Sequence, residues 1–166
     1  MLLTPAVTFY SFVLGLHIAA VVIGFGVTFA YPIIFTIVGK QDPRALPVLH
    51  RAELFIGQRL ISPALGIIVV AGIYLASKLD AWSSFYVQWG FGAAIVLGAL
   101  AGVFFAPTER RLVELSERDV AAAPASGEVV LSAEYNALSK RLAMVGSLTS
   151  LLVLVTIFVM ATHLGA

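Results

Sequence analysis

The sequence predicts an all-α integral membrane protein, a four-helix bundle with both termini on the extracytoplasmic side. Three observations support this fold class. The 166 residues are 60% hydrophobic and only 11% charged, whereas soluble domains carry about 25% charged residues. Four apolar segments are each long enough to cross a bilayer as a helix, which takes ~20 residues. The basic residues are concentrated between these segments, in a pattern that fixes an orientation.

The predicted spans belong to one domain that covers residues 1–166. They run over Val7–Val38, Leu60–Ser77, Phe85–Ala106 and Leu142–Thr162. Nine of the ten Lys and Arg residues lie at about 39–59 and 107–141. Because basic loops stay on the cytoplasmic side, we expect both segments in the cytoplasm of a multi-pass protein of the bacterial inner (plasma) membrane.

The first cytoplasmic segment is predicted to form a helix that leads into the second span. Asp42 is a candidate N-cap, and Pro43 fits the first helical position. Pro63 lacks the N–H that would bond the Arg59 carbonyl, so a kink is expected there. Pro32 has the same effect within the first span.

The second cytoplasmic segment is predicted to contain a new charged helix. It restarts at Pro107 and runs to about Asp119. Residues 121–127 (AAAPASG) form a short flexible linker by composition. A polar stretch from Ser132 then leads into the fourth span.

The third span carries small residues at every fourth position, including a GxxxG motif formed by Gly98 and Gly102. Small residues allow helices to approach closely in a membrane. The stripe therefore predicts either packing inside the monomer or a homodimer through Gly98 and Gly102.

His17 is the one histidine placed deep in a predicted span. Ionisable residues at such depth usually face a bundle interior or a cavity. Ala20 and Gly24 share its helix face and leave room for a flat ring, as axial ligation of a b-type haem requires. The alternative is a neutral His17 that makes one interhelical hydrogen bond.

The other two histidines lie outside the membrane core. His163 ends the fourth span. It is either a second ligand to a metal or haem iron held by His17, or a hydrated side chain at the membrane surface. His50 is followed by Glu53 three residues later, but two ligands make no metal site, which favours a solvated helix face. Glu109 reads as part of the polar anchor of the third span.

Several classes of function find no support in the sequence. The chain has no cysteine, which excludes disulfides, iron–sulfur clusters and cysteine nucleophiles. No basic tract indicates nucleic-acid binding, and no catalytic residue can be assigned. No Asp or Glu lies near the middle of a span, which argues against a proton-coupled transporter.

The spans resemble those of a family of small bacterial predicted integral membrane proteins, a four-helix family of unknown function. LGLHIAAVVIGFGVTF is similar to the family's opening helix, RLISPALGIIVVAGIYL to its second, and FFAPTERRL to the end of its third. IFVMATHLGA resembles the closing end, although His163 stands where a Lys is usual and the following Pro is absent.

The opening helix is also distantly similar to copper-resistance-D-type proteins and to membrane protoporphyrinogen oxidases of the J type. In those relatives the first-helix histidine is implicated in haem or metal binding, and it corresponds to His17 here. The third span contains no lysine, unlike the J-type catalytic pattern.

The sequence as a whole thus predicts a small membrane protein that binds haem b through His17, with Gly24 and His163 near the cofactor. Electron transfer, haem handling or sensing would be its role. The alternatives are a cofactor-free packing or partner subunit and a small-molecule transporter.

Overall fold

Four long helices form the protein in the computed structural model, which describes residues 8–166. They are long and apolar enough to cross a membrane, as predicted: Phe9–Gln41, Pro43–Leu79, Phe85–Ala122 and Ala133–Thr162. The predicted first residue of span one, Val7, lies outside the described residues. All regular structure within residues 8–166 is helical, which confirms the all-α class. The side of the membrane that each end faces stays a prediction.

The first long helix consists of α1 (Phe9–Gly26), a short 3₁₀ turn and α2 (Tyr31–Gln41). Thr8 caps α1, with its side chain accepting from the Ser11 backbone N–H. The 3₁₀ turn precedes Pro32, which cannot donate the next backbone hydrogen bond. Pro32 therefore follows the place where the α-helical hydrogen-bond pattern of the first span is interrupted.

The second long helix comprises α3 (Leu46–Ile56) and α4 (Ser62–Leu79), with a π-helical segment between them. Asp42 accepts a hydrogen bond from the Arg44 N–H, so its predicted capping role is confirmed, for a 3₁₀ turn ahead of α3. The π-helical segment lies where the Pro63 kink was predicted. Its wider turn, closed by the Ser62 N–H on the Gly57 carbonyl, carries the helix past the proline.

The third long helix repeats this construction with α5 (Phe85–Ala99), a π-helical segment at Leu100–Phe105, and α6 (Ala106–Ala122). The charged helix predicted from Pro107 to about Asp119 corresponds to α6, and the helical run continues into it from the apolar span without a break. The π turn again precedes the proline and supplies the altered hydrogen-bond register.

The linker before the fourth span is held in place by one arginine. The Arg44 guanidinium donates to the carbonyls of Pro124 and Gly127, so the linker predicted to be flexible is tied to the opposite connection. α7 (Ala133–Thr162) then begins at Ser132, whose side chain accepts from the Tyr135 N–H. Both polar connections therefore meet at one end of the bundle, which we call the basic end and define as residues 39–59 and 107–141.

The helices pack in pairs: α1 against α4, α3 against α6, and α5 against α7. In the apolar spans large side chains remain on the outside, such as Val103 at 80% exposed and Ile95 at 72% exposed. Such faces are suited to contact with lipid.

The small-residue stripe of the third span does not face a single partner. Gly90 lies against Met160 of α7, and Gly98 lies against Leu65 of α4. A side chain at Gly102 would meet nothing within 4 Å among the described residues. Part of the stripe thus packs inside the monomer.

Candidate metal centre

A cluster of polar side chains is buried at the basic end, where α3 packs against α6. His50 and Glu53 lie three residues apart on α3 and so share one helix face. Glu109 lies in the first turn of α6, and Tyr135 lies in the first turn of α7. The cluster thus draws on three helices that are far apart in the chain.

The π-helical segments place these residues relative to the spans. Each segment lies between an apolar span and a polar extension, with α3 before one and α6 after the other. A π turn inserts one residue into the helical repeat and so rotates everything beyond it. His50, Glu53 and Glu109 all lie in the polar extensions, outside the predicted apolar spans.

The imidazole of His50 is the centre of the cluster. Its Nδ1 lies 2.8 Å from Oε2 of Glu109, and its Nε2 lies 2.9 Å from the Tyr135 hydroxyl. His50 is fully buried and Glu109 is 3% exposed. The Phe35 ring of α2 closes one side of the imidazole, with the ring centroids 4.6 Å apart. The imidazole is therefore held on three sides.

The three ligand-type residues are close enough to share an ion. One potential ligand atom from each of His50, Glu53 and Glu109 lies within 4.8 Å of the other two. Two atoms bound to one metal ion at about 2.0–2.2 Å are about 3 Å apart when they meet at a right angle. The 2.8 Å separation of His50 Nδ1 and Glu109 Oε2 is close to this spacing.

Three oxygens in this region lack a hydrogen-bond partner among the described residues. They are Oε2 of Glu53, Oε1 of Glu109 and the hydroxyl of Tyr31, and all three are buried. A buried polar group without a partner costs about 1–3 kcal/mol. Two of these oxygens belong to Glu53 and Glu109, whose carboxyls share a hydrogen bond when Glu53 is protonated, so a shared proton and a bound ion are two ways to stabilise the pair.

The charges of the cluster are unbalanced. In residues 8–166 neither Glu53 nor Glu109 forms an ion pair with a Lys or Arg. Burial raises the pKa of both carboxyls, and the charge of Glu109 together with a hydrogen bond between the two carboxyls raises the pKa of Glu53 further. Burial also lowers the pKa of His50 to about 4, outweighing the attraction of Glu53. His50 is therefore neutral near pH 7, the form in which imidazole binds metals.

The donor set defines the ions that this centre suits. One imidazole nitrogen and two carboxylates, with no sulfur, favour first-row transition ions such as manganese, iron, cobalt or zinc. Tyr135 occupies the position of an outer partner, bonded to the ring nitrogen of His50 that faces away from the carboxylates. Such partners fix the orientation of a ligating histidine.

The structure overturns the sequence interpretation of His50 as a solvated residue. His50 is at 0% exposure, and Glu109 is a third potential ligand beside it, which the sequence pattern did not reveal. Glu109 is separated from His50 by 59 positions and resembles an ordinary anchor beside Arg110 and Arg111. Its one distinctive signal is its place directly after an apolar span that ends in a proline.

His17 lies elsewhere, at the contact between α1 and α4. Its Nδ1 is 3.0 Å from the Ile68 carbonyl, which can only accept, so Nδ1 carries the proton. Nε2 then has the free lone pair that a haem iron or a metal ion would need. Gly72 lies beside the ring, where an added Cβ would be 3.6 Å from His17 Cε1.

Gly24 and His163 make contacts that differ from those of His17. A Cβ on Gly24 would lie 2.8 Å from Ala64 Cβ, so Gly24 serves the close approach of α1 and α4. His163 ends α7 in the left-handed conformation at φ 49° and packs edge-on against Tyr86, with centroids 5.1 Å apart. The His17 side chain thus packs against α4, whereas His163 packs against Tyr86 of α5.

No protein-family model, curated protein or solved structure matches this chain. The class of protein is accordingly defined by the fold and the site: a small multi-pass membrane protein with a buried His–Glu–Glu cluster at one end of a four-helix bundle.

Proposed function

We propose that the protein binds a first-row transition-metal ion through His50, Glu53 and Glu109. The observation that carries this proposal is the convergence of three ligand-type side chains, with His50 and Glu109 buried and Glu53 half-buried, whose potential ligand atoms lie within 4.8 Å of one another.

A bound ion accounts for the charge of the site. Two buried carboxylates beside a neutral imidazole carry two negative charges once they are deprotonated, and a divalent ion neutralises them. Buried charges are tolerated when they are paired or coordinate a metal. The ion would also join α3 to α6 and so connect the polar extensions of the second and third spans.

Equilibrium binding to the purified protein in detergent tests the proposal. After treatment with a chelator, the wild type should bind manganese, zinc or cobalt, and His50→Ala and Glu109→Gln should each lose at least tenfold in affinity. His163→Ala is the matched histidine control and Glu117→Gln the matched carboxylate control, since both residues are exposed or paired at the surface. Equal binding by all five proteins would contradict the proposal.

Haem b ligated by His17 is a second candidate, favoured by the hydrogen bond that leaves Nε2 free. The resemblance of the opening helix to haem-binding relatives also supports it, with Gly24 and His163 as neighbouring residues. Against it stands the contact of Gly24 with Ala64, which fills the space expected for the ring.

Absorption spectra separate the two candidates. Under haem-replete expression, the haem proposal expects a Soret band that His17→Ala abolishes or shifts, that His163→Ala changes less, and that His50→Ala leaves intact. A colourless wild type would refute it. The cofactor-free alternative, a packing or partner subunit, expects neither a Soret band nor metal binding.

The setting of the protein is also part of the proposal. We place it in the bacterial inner membrane with the basic end in the cytoplasm and both termini outside, following the distribution of Lys and Arg. A homodimer would use the open face at Gly102, because Gly98 is already in contact with Leu65.

A further inference from the structure

An apolar groove runs along the contact between α1 and α4, and we propose that it binds one acyl chain of an anionic phospholipid whose headgroup lies at Lys78. Leu16 of α1 and Val70 of α4 line the groove from the outside, and the buried residues Val13 and Ala71 line it from within. Neither His17 nor the His50 cluster is part of this lining, so the inference is independent of both proposed cofactors.

The groove has the length of one leaflet. On α4 it extends from Pro63 to Tyr74, which corresponds to about 16 Å of helix. The hydrocarbon core of a bilayer is ~30 Å thick, so one leaflet contributes about 15 Å. The groove therefore matches one layer of acyl chains.

The groove is too narrow for another helix. Its volume is about 550 Å³, which over this length gives a mean cross-section of about 35 Å². A helix with its side chains is about 10 Å across and so needs roughly 80 Å². A single hydrocarbon chain is thinner than a helix and flexible enough to follow the surface.

A cation lies at one end of the groove. Lys78 follows Tyr74 by one helical turn, and its Nζ lies 5.9 Å from the centroid of the Tyr74 ring. The Tyr74 ring lines the groove and packs edge-on against Phe9 of α1, with the centroids 5.2 Å apart. The groove thus passes from apolar side chains to an aromatic pair and then to an ammonium group, in the order of an acyl chain, the membrane interface and a phosphate.

The charge of Lys78 is available to a lipid. The side chain is exposed and forms no ion pair within residues 8–166. The other nine Lys and Arg residues all lie in the basic end, at the opposite end of the bundle. A preference for anionic lipid in this groove should therefore depend on Lys78 alone.

Photo-crosslinking of the full chain in nanodiscs tests the inference, with a phosphatidylglycerol probe that carries a diazirine on one acyl chain. Peptide mapping should find adducts at Val70 more often than at Phe158, which is also open to the bilayer at 63% exposed. Unlabelled phosphatidylglycerol should displace the groove adducts about fivefold more effectively than phosphatidylcholine with the same chains, the factor expected from one basic residue at an anionic surface.

Two substitutions separate the acyl chain from the headgroup. Gly66→Leu should remove most groove adducts, because Gly66 lines the groove and a Cβ there would meet nothing within 4 Å among the described residues. Gly92→Leu is the matched control on α5, where an added Cβ is equally unobstructed. Lys78→Ala should keep the adducts but lose the preference for phosphatidylglycerol, and Lys40→Ala, at the basic end, should keep both.

Three contrary outcomes would overturn the inference. Equal adduct frequency at Val70 and Phe158 in the wild type would show that the groove is not a site, whether or not the variants fold. Equal displacement by the two lipids, or a preference that survives in Lys78→Ala, would refute the headgroup assignment. Crosslinks between two copies of the chain at the groove, without lipid adducts there, would show that a second copy covers it instead.

Discussion

Replacing Tyr135 by phenylalanine should weaken both the fold and the metal site by predictable amounts. The ring packs in a buried cluster with Leu46, Leu112 and Leu115, and phenylalanine preserves that packing. Only the hydroxyl bonded to His50 Nε2 at 2.9 Å is lost. The imidazole nitrogen is then buried without a partner, which costs about 1–3 kcal/mol of unfolding free energy.

The same change should lower metal affinity about 10–100-fold, because it removes the partner that orients the ligating histidine. Thermal unfolding in detergent with a chelator measures the first effect, and equilibrium binding of zinc or manganese measures the second. Tyr86→Phe is the control, since Tyr86 is 7% exposed but belongs to the cluster at the opposite end. If Tyr135→Phe equals Tyr86→Phe in both assays, the hydrogen bond to His50 is not part of a site.

Three further predictions address packing, protonation and orientation. Gly24→Ala should destabilise the bundle by about 1–3 kcal/mol through overpacking against Ala64, whereas an unchanged melting temperature would show that α1 and α4 are not in this contact. Metal affinity should rise between about pH 6 and about pH 8, because burial raises the pKa of both ligand carboxyls and their protons compete with the ion; a flat profile would contradict this. Cysteine in place of Trp82 should react with an impermeant reagent from outside and cysteine in place of Arg110 should not, and the reverse would overturn the orientation.

The spans were predictable from sequence because each needs only its own residues to be recognised. Hydrocarbon thickness fixes a minimum length of apolar helix, and the four long helices of the structure contain the predicted apolar segments over residues 8–166. The capping role of Asp42 was predictable for the same reason, because its hydrogen bond depends on neighbouring residues alone.

The candidate metal centre was not predictable in the same way, because it depends on contacts between distant parts of the chain. His50 and Glu53 form a visible pair, but the position of Glu109 relative to them depends on how α3 packs against α6. The π-helical segments add to the difficulty. They change the register of each helix between the apolar span and the polar extension, so a 3.6-residue period cannot be carried across Pro63 or Pro107.

The haem hypothesis depends on a distinction that the sequence alone does not make. From the sequence, Ala20 and Gly24 were interpreted as room for a haem beside His17, with an interhelical hydrogen bond as the alternative; in the structure both residues are buried and the His17 ring meets α4. A small residue leaves room equally well for a cofactor or for a neighbouring helix. Only the position of Ala64 shows that a helix occupies the space beside Gly24.

X-ray absorption spectroscopy at the iron edge tests the central claim most directly. Protein loaded with iron in detergent should show a shell of oxygen and nitrogen atoms with outer scattering from a single imidazole, and His50→Ala should remove that outer scattering. A spectrum that His50→Ala leaves unchanged would contradict a metal centre built on His50, Glu53 and Glu109.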